Sequence, residues 1–171
     1  MNQPVFRTAR LLVRPRRPGD TEACLAMDRE PEVTRFIDGP WGEEANHRAF
    51  IEARTRGPWP PGLGYWTIER AGEFLGWVLL IPEDAQGPAI EIGWRLRRAA
   101  WGRGIATEAA APLLRHGFMT LGLPAIIAGI DPENAASLRV AAKLGLVARE
   151  RAGRYLRHAL RREEWLASRE D

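Results

Sequence analysis

The stretch Glu91-Ile-Gly-Trp-Arg-Leu-Arg-Arg-Ala-Ala-Trp-Gly-Arg-Gly-Ile-Ala-Thr-Glu108 constrains the fold more than any other, because three local codes follow one another in it without a gap. Ile90, Ile92, Trp94 and Leu96 alternate with Glu91, Gly93, Arg95 and Arg97, which is the period of a half-buried strand. Gly102 and Gly104 then break the pattern, and from Ile105 onward the chain is rich in helix formers. A strand, a glycine turn and a helix start therefore lie in series. Such a junction aims free backbone N–H groups and the positive end of a helix dipole at one point, which suits an anion such as a diphosphate. Arg95, Arg97, Arg98 and Arg103 crowd the same turn. Spacing alone leaves two readings open, an anion site or solvated arginines beside an ordinary turn.

The flanking sequence supplies partners for this unit. Arg10 to Arg14 reads as a strand ended by Pro15 and Pro18, followed by a helix capped at Asp20 or Thr21 and stopped by Pro31. Glu32 to Asp38 reads as a short turn or helix, and Glu43 to Arg56 as a helix. Gly57 to Gly64 holds too many prolines and glycines for regular structure; it is either a lid or wall over a site, or a surface loop pinned by Trp59. Tyr65 to Glu69 and Glu73 to Ile81 form a hairpin around Arg70 to Glu73, and Ala89 to Leu96 adds a third strand to an antiparallel meander. A helix should then run from about Ile105 to Leu121 despite Pro112, and Ala125 to Ile130 reads as a buried strand, completing a βαβ unit. Asp131 to Asn134 caps a second helix, Ala135 to Leu144, closed by Gly145; two closing strands and a polar tail follow. The sum is an α/β chain with a central mixed sheet, antiparallel at the start and parallel at the βαβ step, and with helices on both faces.

Composition excludes several classes. At 171 residues the chain fits one domain, residues 1–171, with no apolar run long enough to cross a bilayer and no secretory leader. A lone cysteine, Cys24, precludes an internal disulfide and agrees with a cytoplasmic protein. The isoelectric point of 9.7 overstates the field, because net charge is only +3 and Lys143 is the sole lysine among 25 basic residues. With arginines spread from Arg7 to Arg169 instead of gathered in a tail, nucleic-acid binding is the least favoured reading. His47, His116 and His158 show no metal-ligand spacing, so no metal is expected and they are assigned to surface or helix-packing roles; Cys24 is assigned to the core.

Asn134-Ala-Ala-Ser-Leu-Arg-Val-Ala-Ala-Lys-Leu-Gly-Leu146 resembles the N-x-x-S/A…K-L-G-F motif of the GNAT superfamily of N-acetyltransferases. Trp101-Gly-Arg-Gly-Ile-Ala106 resembles that superfamily's acyl-CoA diphosphate loop, and Thr8 to Arg14 resembles the opening strand of its ribosomal-protein N-terminal acetyltransferase branch. The resemblance spans nearly the whole chain. It implies a GNAT-like three-layer fold, with acetyl-CoA lying along the strand that carries Ile92, Trp94 and Leu96. The diphosphate would rest on the N–H groups of Trp101, Gly102, Arg103, Gly104, Ile105 and Ala106, and Asn134 would touch the cofactor while also capping its helix. Arg97, Arg98 and Arg103 are further candidates for phosphate contact.

The implied reaction is direct attack of a primary amine, on a small molecule or a protein N-terminus, upon the thioester. Many relatives carry a tyrosine acid seven residues after the asparagine, where this chain has Ala141; Ser137 is the alternative donor, with a merely solvent-facing serine left open. Glu91 is the candidate base, or else an exposed strand residue; Glu108 is read as a first-turn partner of the helix dipole. The N–H groups of Ile92 and Trp94, with Gly93 between them, are candidates to meet the thioester carbonyl. Trp41, Trp59 and Phe36 are candidate acceptor-pocket residues. Trp101 stands where relatives have glutamine or arginine, and Leu146 where they have phenylalanine. An idle acyl-CoA-binding domain remains the alternative to an enzyme, and either a monomer or a homodimer is compatible with the sequence.

Overall fold

In a computed structural model that describes residues 2–169, the alternating stretch becomes the fifth of eight strands in one mixed sheet. In chain order the elements are β1 (Phe6–Arg7), β2 (Leu12–Pro15), α1 (Thr21–Asp28), α2 (Pro31–Thr34), α3 (Glu44–Arg56), β3 (Gly64–Arg70), β4 (Glu73–Pro82) and β5 (Ile90–Leu96). There follow α4 (Ile105–Arg115), β6 (Ala125–Ile130), α5 (Ala135–Leu144), β7 (Val147–Ala152), β8 (Tyr155–Arg161) and α6 (Arg162–Ala167). The sheet runs β1-β2-β3-β4-β5-β6-β8-β7, and β5–β6 is its parallel step.

Period-two alternation sorts the side chains onto two faces. Val78, Leu80, Ile92, Ile126 and Ala128 pack under α4, α5 and α6, together with Ala109, Leu113, Ala141, Leu144 and Trp165. Tyr65, Trp77, Leu79 and Ile81 face the other way, against Cys24, Leu25 and Met27 of α1, Val33 of α2 and Ile51 of α3. Helices thus cover both faces, as the mixed apolar pattern implied.

Four details depart from the expected elements. β1 and α6 were not anticipated, being too short to show a period. Pro15 belongs to β2 instead of ending it, a position open to proline where no ladder N–H is required. α4 keeps Pro112 inside it but closes at Arg115, and His116–Thr120 continues as a π-helical turn in which Leu121 N donates to His116 O at 3.0 Å. Gly117 permits that wide turn to lie against β6, since a Cβ there would stand 2.7 Å from Ile126 Cδ1.

The step that matters for function is the parallel one. β4 and β5 pair in unbroken register from Gly76–Leu96 to Pro82–Ile90, whereas β5 and β6 share the single pair Glu91–Ile127. Arg97 N donates to Leu75 O, so odd-numbered residues of β5 direct their polar groups at β4 and even-numbered ones at β6. Ile92 flanks the one rung. Trp94 and Leu96 lie beyond it, and their N–H groups face the widening gap without a strand partner among the described residues.

Candidate active site

Two cavities meet at that gap. One, of about 540 Å3, runs between β5, the Trp101–Ala106 turn and α5, lined among others by Leu96, Gly102, Gly104, Ala106, Arg139 and Lys143. The other, of about 510 Å3, lies on the α1–α3 side over Tyr65, Trp77, Leu79, Glu91 and Gly93. Phe36, Ile37, Trp94, Arg95, Asn134 and Ser137 line both and form the passage between them. A ligand threaded through the splayed strands would pass from one chamber to the other at these residues.

The first chamber fits a long phosphorylated cofactor. Gly102 and Gly104 have φ of +71° and +73°, and Gly104 is the N-cap of α4 with no side chain over the first helical N–H groups. Conformation, not space, demands glycine here: a Cβ on Gly102 would meet nothing within 4 Å, and one on Gly104 only Arg10 Nη2 at 3.7 Å. The uncovered N–H groups and the helix dipole are an arrangement suited to an anion such as a diphosphate. Arg139 and Lys143, one turn apart on α5, add two cations that hold no carboxylate among the described residues.

The arginines flagged at the turn behave differently. Arg97 pairs with Glu73 at 2.9 Å and Arg98 with Glu32, so both are already neutralised. Arg103 does not line the cavity; its carbonyl accepts from Arg10 Nη2 at 2.9 Å. Trp101 folds back, its Nε1 donating to Leu96 O at 2.9 Å, which occupies one acceptor at the end of β5. Glu108 does more than face the dipole: it pairs with Arg10 at 2.7 Å and accepts from the Thr8 hydroxyl, tying the N-terminal segment to α4.

At the passage, Asn134 Oδ1 caps α5 by accepting from Ser137 N at 3.2 Å. Ser137 Oγ in turn accepts from Trp94 Nε1 at 3.3 Å, which leaves the serine hydroxyl hydrogen free to point elsewhere in the passage. Ala141 is fully buried in the core, so no acid stands at that position. Glu91 is half-buried on the second chamber's wall, against Gly129. Burial pushes its carboxyl up to about 7, with Glu83 and Asp84 adding to the rise and a hydrogen bond to the Gly129 backbone opposing it. A carboxylate tuned so close to neutrality beside a cavity can accept a proton from an ammonium. Gly93 lies opposite Leu79, and a Cβ there would press on Leu79 Cγ at 3.2 Å.

Phe36 and Trp41 wall the second chamber, while Trp59 packs outside it with Nε1 donating to Arg54 O at 2.9 Å. The sequence reading missed its polar members. Asp28 is buried between Arg95 Nη1 and His47 Nε2, both at 2.9 Å, and the Arg95 guanidinium lies 5.0 Å and 4.8 Å from the ring centres of Trp41 and Trp77. His47, His116 and His158 are all buried, which corrects a surface role; no metal-binding cluster occurs among the described residues. Cys24 is fully buried, and burial pushes its thiol up to about 11.

Residues 10–147 match the family described as the acetyltransferase (GNAT) domain. The chain belongs to the GNAT family. It is 30% identical over 185 residues to the FsC-acetyl coenzyme A-N(2)-transacetylase of Aspergillus fumigatus, covering 96% of this chain and 79% of that protein. An acetyltransferase structure from Agrobacterium tumefaciens superposes with a TM-score of 0.77 at 27% identity, covering 94% of this chain and 95% of the other. The ribosomal-protein-S5-alanine acetyltransferase of Vibrio fischeri shares the fold, with a TM-score of 0.72 at 18% identity over 95% of this chain and 99% of its own. This GNAT chain is therefore an acetyl-CoA-dependent acyltransferase, and no helix among its described residues is long and apolar enough to cross a membrane.

Proposed function

We propose that this chain, as one domain, transfers the acetyl group of acetyl-CoA directly to a primary amine held in the chamber over Glu91. The observation that carries the reading is the meeting of two cavities at a strand gap bounded by Glu91 and Ser137. The donor supplies an activated acetyl thioester; the chain supplies position, charge and proton transfer. Main-chain N–H groups from Gly102 to Ala106, with Arg139 and Lys143, hold the phosphates, and the free N–H of Leu96 meets the pantetheine arm. Trp94 N–H, beyond the last rung, faces the thioester carbonyl and stabilises the charge that builds on its oxygen. Ile92, although on the same edge, flanks the rung and is the weaker donor.

Glu91, ionised above about pH 7, removes the proton that the incoming amine must lose. Ser137, oriented by Trp94, donates its hydroxyl hydrogen toward the departing sulfur. Asn134 fixes Ser137 through the helix cap and lines the passage itself. We further propose a cytoplasmic location, a reading supported by the buried, free thiol of Cys24. Arg10, Arg14, Arg95, Arg97, Arg98, Arg154 and Arg157 are paired with carboxylates of the same chain, which supports an amine acceptor over a nucleic-acid partner.

The test is thiol release from acetyl-CoA with peptides of different N-terminal residues, diamino acids and polyamines as acceptors. Release with at least one class is expected. Tight CoA binding without release from any amine supports the idle acyl-CoA-binding alternative instead. Ser137→Ala is expected to lower kcat by about 100-fold with CoA affinity nearly kept, and a normal rate removes Ser137 as the acid.

A further inference from the structure

Four arginines line the acceptor chamber, and only two are answered by carboxylates: Arg95 by Asp28 and Arg157 by Glu83. Arg16 and Arg54 hold none among the described residues. Arg16 is the unusual one, because it is buried with only 7% of its surface exposed. A buried guanidinium without an anion is a costly arrangement, and proteins rarely keep one without use. Its Nε donates to Thr55 Oγ1 at 2.9 Å and Nη2 reaches Ile51 O at 3.4 Å, while Nη1 donates to no atom among the described residues. Nη1 is nevertheless not sealed from solvent and opens onto the chamber that Arg16 lines.

Tyr65 stands directly beneath. The Arg16 guanidinium lies 3.9 Å from the centre of its ring, and the Tyr65 hydroxyl likewise has no partner among the described residues and is not sealed off. Burial pushes that phenol up, so it stays a donor at neutral pH. Burial also pulls the Arg16 guanidinium below its ordinary range, a deficit that an anion in the chamber would reverse. Arg54, stacked 5.0 Å from the Phe50 ring centre, brings a second positive charge into the chamber, where it acts on both the Tyr65 hydroxyl and the Glu91 carboxyl. Two unspent donors and an unanswered charge at one end face Glu91 at the other.

The register gives the separation. Tyr65 pairs with Leu79 and Leu79 with Gly93, so Tyr65 and Gly93 stand two strand spacings apart, roughly 10 Å. Between them the floor is Leu79, with Ile81 beside it. Resting on the acetyltransferase reading above, we propose that the acceptor is a primary amine joined through an aliphatic spacer to an oxyanion, a carboxylate first of all, which Arg16 and Tyr65 bind while the amine meets Glu91. The side-chain amine of a diamino acid has this form. An α-amino acid alone does not, because its amine and carboxylate are too close together.

The probes are ω-aminohexanoate and ω-aminooctanoate, the n-alkylamines and α,ω-diamines of matching length, and ω-aminoalkylphosphonates to separate carboxylate from phosphonate. Binding to the full chain loaded with CoA is measured calorimetrically, and thiol release is measured in parallel. The carboxylate-bearing amines are expected to bind at least about tenfold more tightly than the isosteric alkylamines, a preference that falls to near parity in Arg16→Gln and shrinks several-fold in Tyr65→Phe. CoA affinity is read in every variant as the check on folding. If Arg16→Gln does not fold, Tyr65→Phe, which removes only a hydroxyl, decides. Equal binding of neutral and anionic amines, or a preference intact in the folded variants, overturns the proposal. Absence of thiol release with selective binding retained instead overturns the catalytic reading and leaves this one standing.

Discussion

At the scale of single residues, Glu91 carries two opposed effects of one cause. Desolvation raises its carboxyl to about 7, and in the unfolded chain it returns to the ordinary value near 4.5. Between those values the folded state holds a proton that the unfolded state has released, so stability falls as pH rises through that window and the full penalty applies above about 7. A rise of that size corresponds to at most about 3 kcal/mol, reduced by the side chain's partial exposure. Glu91→Gln should therefore melt several degrees higher than the parent at about pH 8, with the gain vanishing toward about pH 4. The same variant should lose about 100-fold in kcat/KM and, with it, the limb of the pH–rate profile that rises through about pH 7. Melting curves and rates across the pH range check both signs; a variant that is neither more stable nor slower at high pH removes Glu91 as the base.

At the scale of elements, α5 does the most with the least sequence. Asn134 caps it, Ser137 faces the passage, Ala141 and Leu144 enter the core, Gly145 ends it at φ +86°, and Arg139 with Lys143 edges the cofactor chamber. Reversing one of those charges, Arg139→Glu or Lys143→Glu, should raise the Kd for CoA about tenfold, with the effect shrinking as salt is added. Comparing CoA with dephospho-CoA by titration shows which phosphate each cation serves; unchanged affinity for both places them outside the site. These two residues also show where sequence stops speaking. The glycine turn and the helix caps were legible because positive φ and capping are local codes, carried by Gly102, Gly104, Asn134 and Gly145. Arg139 and Lys143 look like any solvated pair until α5 is set against β5. The chamber over Glu91 was less legible still, since Arg16, Asp28, His47 and Tyr65 come together only through packing of α1 and α3 on the sheet. Arg97 and Arg98 show the converse error: proximity in sequence to the turn suggested phosphate, and nearby carboxylates had claimed them.

At the scale of the whole molecule, the sheet is two half-sheets, β1 to β5 and β6 to β8, joined by a single strand rung and by the core beneath α4 and α5. A ligand lying in the gap would replace missing ladder bonds and bridge both halves, since the cofactor chamber takes its walls from β5 and the Trp101–Ala106 turn on one side and from α5 on the other. Binding to the folded state alone stabilises by RT ln(1 + [L]/Kd), about 2.7 kcal/mol when CoA is present at roughly 100 times Kd. For a chain of this length that is a rise in Tm of roughly 5–10 °C. Distribution of the protection is the sharper expectation. The amides of Trp94 and Leu96, free of strand partners in the absence of ligand, should exchange quickly with deuterium and become strongly protected with CoA, whereas Arg95 and Arg97, bonded toward β4, should change little. The alternation reports direct contact along β5, because general stiffening of the fold would slow odd and even residues alike. Protection spread evenly over β5, or confined to the helices, places CoA somewhere other than the splayed strands.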